Sequence, residues 1–253
     1  MRFASLGSGS RGNALVVEAG RTRVLLDCGF SLKETEFRLA RLGLEAQGLA
    51  AILVTHEHDD HLGGVVRLAA RHDIPVWLTY GTLRAAGGLS GAEVRVFDPH
   101  RRFTVGDLEM EPFPVPHDAA EPAQFVLGDG AHRLGVLTDI GEPTPHVAST
   151  LGGCEALVLE CNHDADMLAK GPYPPQLKRR IAGRLGHMDN ETSSRLLAQI
   201  DTRRLRHVVA SHLSETNNTP ELARDALARA LGCTCDWIGV ASQDAGFGWR
   251  EIG

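Results

Sequence analysis

The 253-residue chain lacks several features that would assign it to a class at once. No apolar run approaches the roughly 20 residues that a membrane-spanning helix requires. The first residues, MRFASLGSGSRGN, contain no basic segment followed by an apolar one, so we predict no signal peptide. The sequence has no low-complexity tract, long linker or evident internal repeat, and we therefore expect a single domain covering residues 1–253.

The chain also lacks an excess of basic residues and a disulfide framework. Its formal net charge is −6, so any surface that binds phosphate must be a local patch. The five cysteines are odd in number and scattered, which favours a reducing compartment and predicts a cytoplasmic location. Cys233 and Cys235 are too close together for an ordinary zinc knuckle, and we expect them to be structural.

Predicted strands and helices alternate along the sequence. RFASL, NALVVEAG and TRVLLDCG predict strands, and the next segment predicts a helix that Ser31 caps, with Glu34 three residues later. Further strands are predicted from the apolar segments LAAILVT, IPVWLT, AQFVLGD, HRLGVLTD, CEALVLE, LRHVVASH and DWIGVAS. Helical patterns cover 174–186, 190–200 and 220–231. The fold class is therefore α/β, with two packed sheets and helices outside them.

The segment Gly7–Gly12, GSGSRG, matches the glycine pattern of a dinucleotide-binding loop but not its context. A dinucleotide site needs a helix directly after the loop, so that the phosphates meet the helix N-terminus. The alternating segment NALVVEAG predicts a strand there instead. We expect a flexible hairpin loop that could border a substrate groove.

The most informative segment is Thr55–Gly64, THEHDDHLGG, which directly follows a predicted buried strand. Imidazole nitrogens and carboxylate oxygens are ligands for zinc, iron or manganese. Residues two apart in extended chain point the same way, so His56 and His58 could bind one ion, while Asp60 and His61 could reach a second. An exposed polar turn is the alternative, but it does not explain why an apolar strand ends in this cluster or why a glycine pair follows.

Three more candidate ligands come at the ends of other predicted strands. His117 follows EPFPVP, Asp139 follows RLGVLT and His212 follows RHVVAS. Each alone would be interpreted as a solvated loop residue. Since all three occupy the same kind of position, we expect them to meet the first cluster at one edge of the sheets.

THEHDDH with the later histidine, aspartate and histidine resembles the signature of the metallo-β-lactamase-fold hydrolases. The resemblance implies a four-layer αββα sandwich of two mixed β-sheets flanked by helices. It also implies two divalent ions, with zinc expected first and manganese or iron as alternatives, and a hydroxide held between them as the nucleophile, which Asp60 helps to orient. The implied ligands are His56, His58 and His117 for one ion, Asp60, His61 and His212 for the other, and Asp139 between both.

The second half of the sequence points to one branch of this superfamily. Three segments resemble the YycJ/WalJ-like hydrolases, which are relatives of the tRNase Z and RNase J nucleases. They are ALVLECNHDADML, GPYPPQLKRRIAGRLGHMDN and ASHLSETNNTP. The resemblance implies a metal-dependent phosphodiesterase, a 5′-to-3′ exonuclease with DNA rather than RNA as its substrate. A thioesterase or lactonase of the same fold is the alternative, which the acidic net charge mildly favours. A binding protein without turnover is a third hypothesis, which the intact ligand set disfavours.

His187 is the candidate catalytic residue outside the ligand set. It precedes a predicted helix that Asp189 or Asn190 caps, and a helix N-terminus favours phosphate. The matching histidine of tRNase Z lies in an H-S-T stretch and is assigned to the scissile phosphate. Here the stretch is His187-Met188-Asp189, so a capping or packing role also stays open.

Two further groups of residues are expected near the centre. Arg180 and Arg184, at helical spacing, would share a face that binds backbone phosphates, with a solvated helix face as the alternative. The candidate substrate contacts are Lys178, Arg180, Arg184, Ser214 and Asn217. The residues expected to orient ligand histidines are Glu160, Asn162 and His163, of which His163 could also be an additional ligand.

Overall fold

The computed structural model describes residues 1–253, which form two seven-stranded sheets with helices on the outer faces. The first sheet has the strand order β14-β1-β2-β3-β4-β5-β6. Its strands β3 to β6 run parallel to one another, while β1, β2 and β14 pair antiparallel. The strands of this sheet are β1 (Arg2–Gly7), β2 (Ala14–Ala19), β3 (Thr22–Leu26), β4 (Ala51–Leu53), β5 (Val76–Leu78), β6 (Val94–Val96) and β14 (Phe247–Glu251).

The second sheet has the order β13-β12-β11-β10-β9-β8-β7. Strands β10 to β13 are parallel, and β7 to β10 pair antiparallel. Its strands are β7 (Phe103–Val105), β8 (Leu108–Pro114), β9 (Ala123–Gly128), β10 (Arg133–Leu137), β11 (Ala156–Glu160), β12 (His207–Ser211) and β13 (Gly239–Val240). Both sheets are mixed, and the predicted αββα fold is confirmed.

Nine α-helices connect the strands. They are α1 (Leu32–Arg41), α2 (Asp59–Leu62), α3 (Val65–His72), α4 (Tyr80–Ala85), α5 (Pro145–Leu151), α6 (Ala165–Lys170), α7 (Pro175–Ile181), α8 (Asn190–Gln199) and α9 (Pro220–Leu231). The side chains of Ser31, Asp189 and Thr219 cap α1, α8 and α9 by accepting a backbone N–H in the first turn. None of the helices combines the length and apolar character of a membrane span.

The apolar alternation of the strands divides the core into three layers. On β3, Val24 and Leu26 face the other sheet, while Leu25 packs with residues of α1 and α3. On β11, Val158 faces between the sheets and Leu157 packs under α5, α8 and α9. Because both faces of each sheet are covered, the central strands are apolar at nearly every position.

The strand directions bring one set of strand ends together. Parallel strands end at the same edge, and β8 runs in the same direction as β10 because each pairs antiparallel with β9. The residues that follow β3, β4, β8, β10, β11 and β12 therefore all emerge at one edge of the sandwich.

Several elements differ from the predictions. The helix predicted over 174–186 ends at Ile181, so Arg184 lies beyond it and the prediction that Arg180 and Arg184 share a helical face is wrong. The segment HLGGVVRLAARH, at the end of the histidine cluster, predicts one helix by its apolar pattern, but the structure divides this region between α2 and α3. The strand predicted from DWIGVAS is reduced to the two-residue β13.

The glycine pair after the histidine cluster allows a close backbone contact. A Cβ atom on Gly64 would lie 1.8 Å from the carbonyl oxygen of Phe30 and 3.0 Å from that of Cys28. The amide of Gly64 also donates a 2.7 Å hydrogen bond to the Cys28 carbonyl. The start of α3 is thereby fixed against the turn that follows β3.

We predict that Gly64→Ala lowers the free energy of unfolding by about 1–3 kcal/mol, because the added methyl group must displace backbone rather than a flexible side chain. Gly248→Ala in β14 is the matched control, since a Cβ there meets nothing within 4 Å. Chemical denaturation of both variants measures the difference. Equal stability of the two variants would contradict the proposed contact.

Candidate metal centre

Nine side chains with metal-binding donor atoms meet at this edge of the sandwich. Their donor atoms form four overlapping groups, in each of which all atoms lie within 4.8 Å of one another. They comprise six histidines and three carboxylates: His56, His58, His61, His117, His187, His212, Asp60, Asp139 and Glu160. All seven sequence-predicted ligands are among them.

The donor atoms are arranged as two groups with Asp139 between them. In the first, His58 Nδ1 lies 3.1 Å from His56 Nε2 and 3.3 Å from His117 Nε2. The second group consists of Asp60, His61 and His212. Asp139 Oδ2 lies 3.0 Å from His61 Nε2, and its Oδ1 lies 3.3 Å from His212 Nδ1. This is the grouping that the family resemblance implies.

Strained backbone turns the chain at three of the strand ends. Asp27, Asp139 and His212 have φ angles of 60°, 52° and 54°, and they are three of the four non-glycine residues with positive φ. Each comes one or two residues after the last residue of its strand. The left-handed conformation is unfavourable for residues with a Cβ, so the surrounding contacts must hold these turns in place.

Asp27 fixes the orientation of two histidines that follow β4, His56 and His61. Its Oδ1 accepts the backbone N–H of Thr55 at 2.8 Å, and its Oδ2 accepts the Thr55 hydroxyl at 2.9 Å. The same Oδ2 lies 2.8 Å from His61 Nδ1. Since the Thr55 hydroxyl donates to Asp27, its oxygen can accept a hydrogen bond from the Nδ1–H of His56, 2.9 Å away. Both imidazoles thus present Nε2 lone pairs to the centre.

Glu160, at the end of β11 in the second sheet, likewise fixes the orientation of two histidines. Its fully buried Oε1 accepts from His187 Nδ1 at 2.8 Å and lies 3.2 Å from His212 Nδ1. Its Oε2 accepts the backbone N–H groups of Ile140 and Met188, both at 3.1 Å. Burial alone would raise its pKa, but the imidazole of His187 lowers the pKa of Glu160 to about 2.

The charges of this site require compensation. Burial would raise the pKa of Asp60 and of Asp139, yet neighbouring imidazoles, His61 first for Asp60 and His212 first for Asp139, hold both pKa values below the ordinary range. Burial lowers the pKa of His212, but the Asp139 carboxylate raises it to about 10. Ionised carboxylates in this position need positive charge beside them, which protonated imidazoles or bound cations can provide.

One carboxylate oxygen of the centre, Asp139 Oδ2, is available to bind a cation. Asp139 Oδ2 is buried and has no hydrogen-bond partner, because its 3.0 Å approach to His61 Nε2 lacks hydrogen-bond geometry. An unpaired buried carboxylate oxygen is unfavourable. An oxygen surrounded by imidazole nitrogens is a suitable donor set for zinc, manganese or iron. The residues present therefore fit the divalent metals that the fold family implies.

The β1–β2 loop joins the two halves of the centre, a role that the sequence did not predict. The Ser8 hydroxyl accepts the N–H of His212 at 2.9 Å and donates to Asn13 Oδ1 at 3.1 Å. The Asn13 amide nitrogen lies 3.3 Å from Asp60 Oδ2 and 3.1 Å from His61 Nε2. The predicted hairpin connection is present, but Ser8 and Asn13 are buried and anchored, and only Ser10 and Arg11 at its tip are exposed.

A cavity of about 250 Å³ opens beside the centre. His187, Arg180 and Ser214, all predicted from sequence, line it together with Asn162, Tyr173 and Ser10. Ser10 belongs to the β1–β2 loop, so the loop does border a groove. Arg180 donates a 2.6 Å hydrogen bond to Asp118 at the same cavity. Burial lowers the pKa of His187, but the carboxylate of Glu160 raises it above its ordinary value.

The remaining predicted contacts lie outside this cavity. Lys178 Nζ donates to the carbonyl of Ala169 at 2.7 Å. Asn217 is buried, with its side-chain amide 3.4 Å from the Ser214 hydroxyl. Arg184 is exposed and lines a different cavity.

Two of the residues predicted to orient ligands differ in their contacts. The side chain of Asn162 donates to the carbonyl of His212 at 3.0 Å, so it contacts the backbone of a predicted ligand. His163 is buried and lies outside the four converging groups, with its Nδ1 3.3 Å from Asn162 Oδ1. These positions support Asn162 more strongly than His163 as a neighbour of the centre.

Comparisons with known proteins agree with this geometry. A family described as "Beta-lactamase superfamily domain" matches residues 22–212. "Exodeoxyribonuclease YycJ" from Bacillus anthracis is 37% identical over 235 residues, covering 91% of this chain and 89% of that protein. "Exodeoxyribonuclease WalJ" from Streptococcus pneumoniae is 31% identical over 245 residues, covering 94% and 91%. The metallo-β-lactamase fold protein YhfI from Bacillus subtilis superposes with a TM-score of 0.78 at 17% identity, covering 99% of both chains.

We predict that Asp139→Asn reduces metal binding at both donor groups, because this carboxylate lies between them. At a metal concentration 100 times the dissociation constant, binding stabilises the wild type by about 2.7 kcal/mol, and the variant should lose most of this increase. Thermal unfolding with and without added Zn²⁺ or Mn²⁺, combined with elemental analysis, measures the loss. Asp236→Asn, at an exposed position, is the control. Unchanged metal content in Asp139→Asn would contradict the assignment.

Asp27→Asn is expected to weaken metal binding by about 10–100-fold, because an amide is a weaker acceptor for His61 Nδ1–H than the carboxylate. Titration of the metal-free protein measures the affinity, with Asp236→Asn again as control. An affinity equal to that of the wild type would show that His61 is oriented without Asp27.

Proposed function

The chain belongs to the β-lactamase superfamily and is a metal-dependent hydrolase, and we propose that it is a 5′-to-3′ exonuclease that acts on DNA. The observation that carries the proposal is a cavity lined both by Arg180 and by His187, whose imidazole belongs to one of the converging donor groups. A phosphodiester in this cavity would meet a cation-binding centre on one side and a guanidinium group on the other. Relatives that match about nine tenths of their own length support DNA as the substrate, since both are named exodeoxyribonucleases.

The proposed ligands follow the two donor groups. When bound, two divalent ions would activate a water molecule and offset the negative charge of the phosphodiester. We propose zinc as the metal, with manganese and iron as alternatives that the same nitrogen and oxygen donors accept. The proposed ligands are His56, His58 and His117 in one group, Asp60, His61 and His212 in the other, and Asp139 between the two.

Two side chains are proposed to take part in the chemistry directly. The carboxylate of Asp60, which Asn13 contacts from the loop side, would orient the attacking water. His187 uses Nδ1 to contact Glu160, which leaves Nε2 as the nitrogen available to the substrate in the cavity. A proton on Nε2 could be donated to a phosphate oxygen or to the leaving oxygen.

The polar residues around the cavity suit a nucleotide chain. Arg180 is half exposed, and its pair with Asp118 contributes little free energy at the surface, so the guanidinium can turn to a phosphate. The hydroxyls of Ser10 and Ser214 also face this cavity. The ring of Tyr173 at the same wall could stack on a base.

The thioesterase or lactonase alternative has less support. It rests on the shared fold and on the net charge of −6, whereas the full-length relatives are named nucleases. We also propose that the protein acts in the cytoplasm, because all five of its cysteines are free and a reducing compartment maintains free thiols.

We predict that metal-loaded protein releases nucleotides from the 5′ end of DNA and that His187→Ala slows this by about 10²–10⁴-fold, the usual contribution of a general acid or base. DNA labelled separately at its two ends, and RNA of the same sequence, would show the polarity and the preferred substrate. His146→Ala, at an exposed position on α5, is the control.

Metal content must be measured in parallel, since His187 lies close to the donor groups. Lower activity at unchanged metal content assigns His187 to the reaction. Hydrolysis of a thioester or lactone without any hydrolysis of DNA would overturn the nuclease proposal.

A further inference from the structure

The loop between α7 and α8 carries an exposed leucine beside the cavity of about 250 Å³ that His187 and Arg180 line, called the reaction cavity below. Leu185 is 53% exposed, although it directly precedes Gly186 and His187, which line that cavity. It is one of six large apolar side chains that the structure leaves exposed. A single exposed leucine is common on protein surfaces, so its significance depends on how the loop holds it.

The loop that carries Leu185 is fixed on every side. The N–H of His187 donates to the carbonyl of Ile181 at 2.8 Å, and the N–H of Asp118 donates to the carbonyl of Leu185 at 3.0 Å. His117 Nδ1 donates to the carbonyl of Gly186 at 3.1 Å. Two of these three hydrogen bonds involve His117 or His187, so the backbone of the loop is tied to the candidate metal centre.

Close backbone packing adds to this rigidity. A Cβ on Gly186 would lie 2.1 Å from the Ile181 carbonyl oxygen, and one on Gly141 would lie 2.3 Å from that of Arg184. The loop therefore has little room to move, and Leu185 cannot turn inward without a change of backbone.

Leu185 lies on the boundary between two cavities. On one side is the reaction cavity, lined by Asp118, Gly186 and His187. On the other is a wider cavity of about 520 Å³, lined by Pro116, Arg184 and Leu185 itself. The two chain segments around residues 116–118 and 184–187 thus separate two spaces.

Each space contains one arginine. Arg180 lines the reaction cavity and Arg184 lines the wider one. Each is paired with a carboxylate, Asp118 or Glu142, at 2.6 Å. The side chain of Arg184 is 89% exposed, and such surface pairs contribute little, so both guanidiniums are available to backbone phosphates.

We propose that Leu185 is a wedge that separates the terminal base pair of a DNA duplex. The scissile strand would enter the reaction cavity, and the displaced strand would follow the wider cavity past Arg184. Apolar side chains inserted between bases are a known means of unstacking DNA, and a rigid support is needed for the side chain to act in this way. At about 250 Å³ the reaction cavity lies below the roughly 300–1,000 Å³ of typical ligand pockets, which favours one strand over an intact base pair. This inference rests on the proposed nuclease function and names duplex ends as its substrate.

The test compares cleavage rates on duplex and single-stranded DNA of the same sequence. Leu185→Ala should slow cleavage of a blunt duplex by about ten-fold or more, since the bases must then separate unaided. Its rate on the single strand should stay within about two-fold of the wild type, as for other surface substitutions. Leu185→Met keeps an apolar side chain of similar volume and should retain the duplex rate. Leu222→Ala, exposed on α9 and outside both cavities, is the matched control.

A duplex with a mismatched terminal pair provides the readout that a merely structural role would not change. The mismatch removes the need for a wedge, so it should restore the rate of Leu185→Ala toward that of the wild type. Equal losses on single-stranded and duplex DNA, or no recovery on the mismatched end, would overturn the wedge. A wild type that cleaves single strands but not duplexes would also overturn it and leave the nuclease proposal intact. A wild type that cleaves no DNA would instead refute the proposed function.

Discussion

Buried carboxylates at the shared edge of two sheets impose the constraint on which this structure depends. Asp139 and Glu160, which are buried, and Asp60, which is partly buried, all have lowered pKa values, because imidazoles from both halves of the chain surround them. Such a concentration of charge is tolerable only when positive charge stays close and every other lone pair has a donor. The parallel strand directions, the strained turns and the anchored β1–β2 loop all meet this requirement.

The strained backbone at the strand ends is maintained by the hydrogen bonds that these residues make. Asp27 and His212 adopt left-handed backbone, and both are held by side chains from distant parts of the chain. The hydroxyl of Thr55 and the imidazole of His61 bind Asp27, while Ser8, 204 residues away in sequence, binds the backbone of His212. The unfavourable turns therefore persist because relaxing them would leave buried polar groups without partners.

Sequence reasoning succeeded where the signal was local. The seven predicted ligands lie in four polar segments that each follow an apolar strand, and parallel strands bring such segments together. Asp27 ends TRVLL in the same way, so that signal was present and was not used. Ser8 and Asn13 carried no such signal, because their roles depend on contacts across two sheets.

The errors have equally physical causes. Helical periodicity continues through Arg184, but the backbone leaves the helix at Ile181, where glycines allow a tight turn that closes onto the metal centre. The short strands β6 and β7 have three residues each and no buried position, so they carry no clear apolar pattern from which to predict them. Packing against distant segments decided these elements, and a pattern read within one segment does not contain that information.

The metal-binding donor groups and the walls of the cavity come from different parts of the chain, and this bears on how the substrate is selected. The donor groups are built from both sheets, and their geometry follows from strand ends that the whole superfamily fold provides. The cavity walls instead come mostly from one stretch, 162–187, with single contributions from Ser10, Asp118 and Ser214. Within this stretch only His187 belongs to the donor groups, so the other wall residues can differ without removal of a metal-binding atom. The identity of the substrate must therefore be sought in those wall side chains, not in the metal ligands.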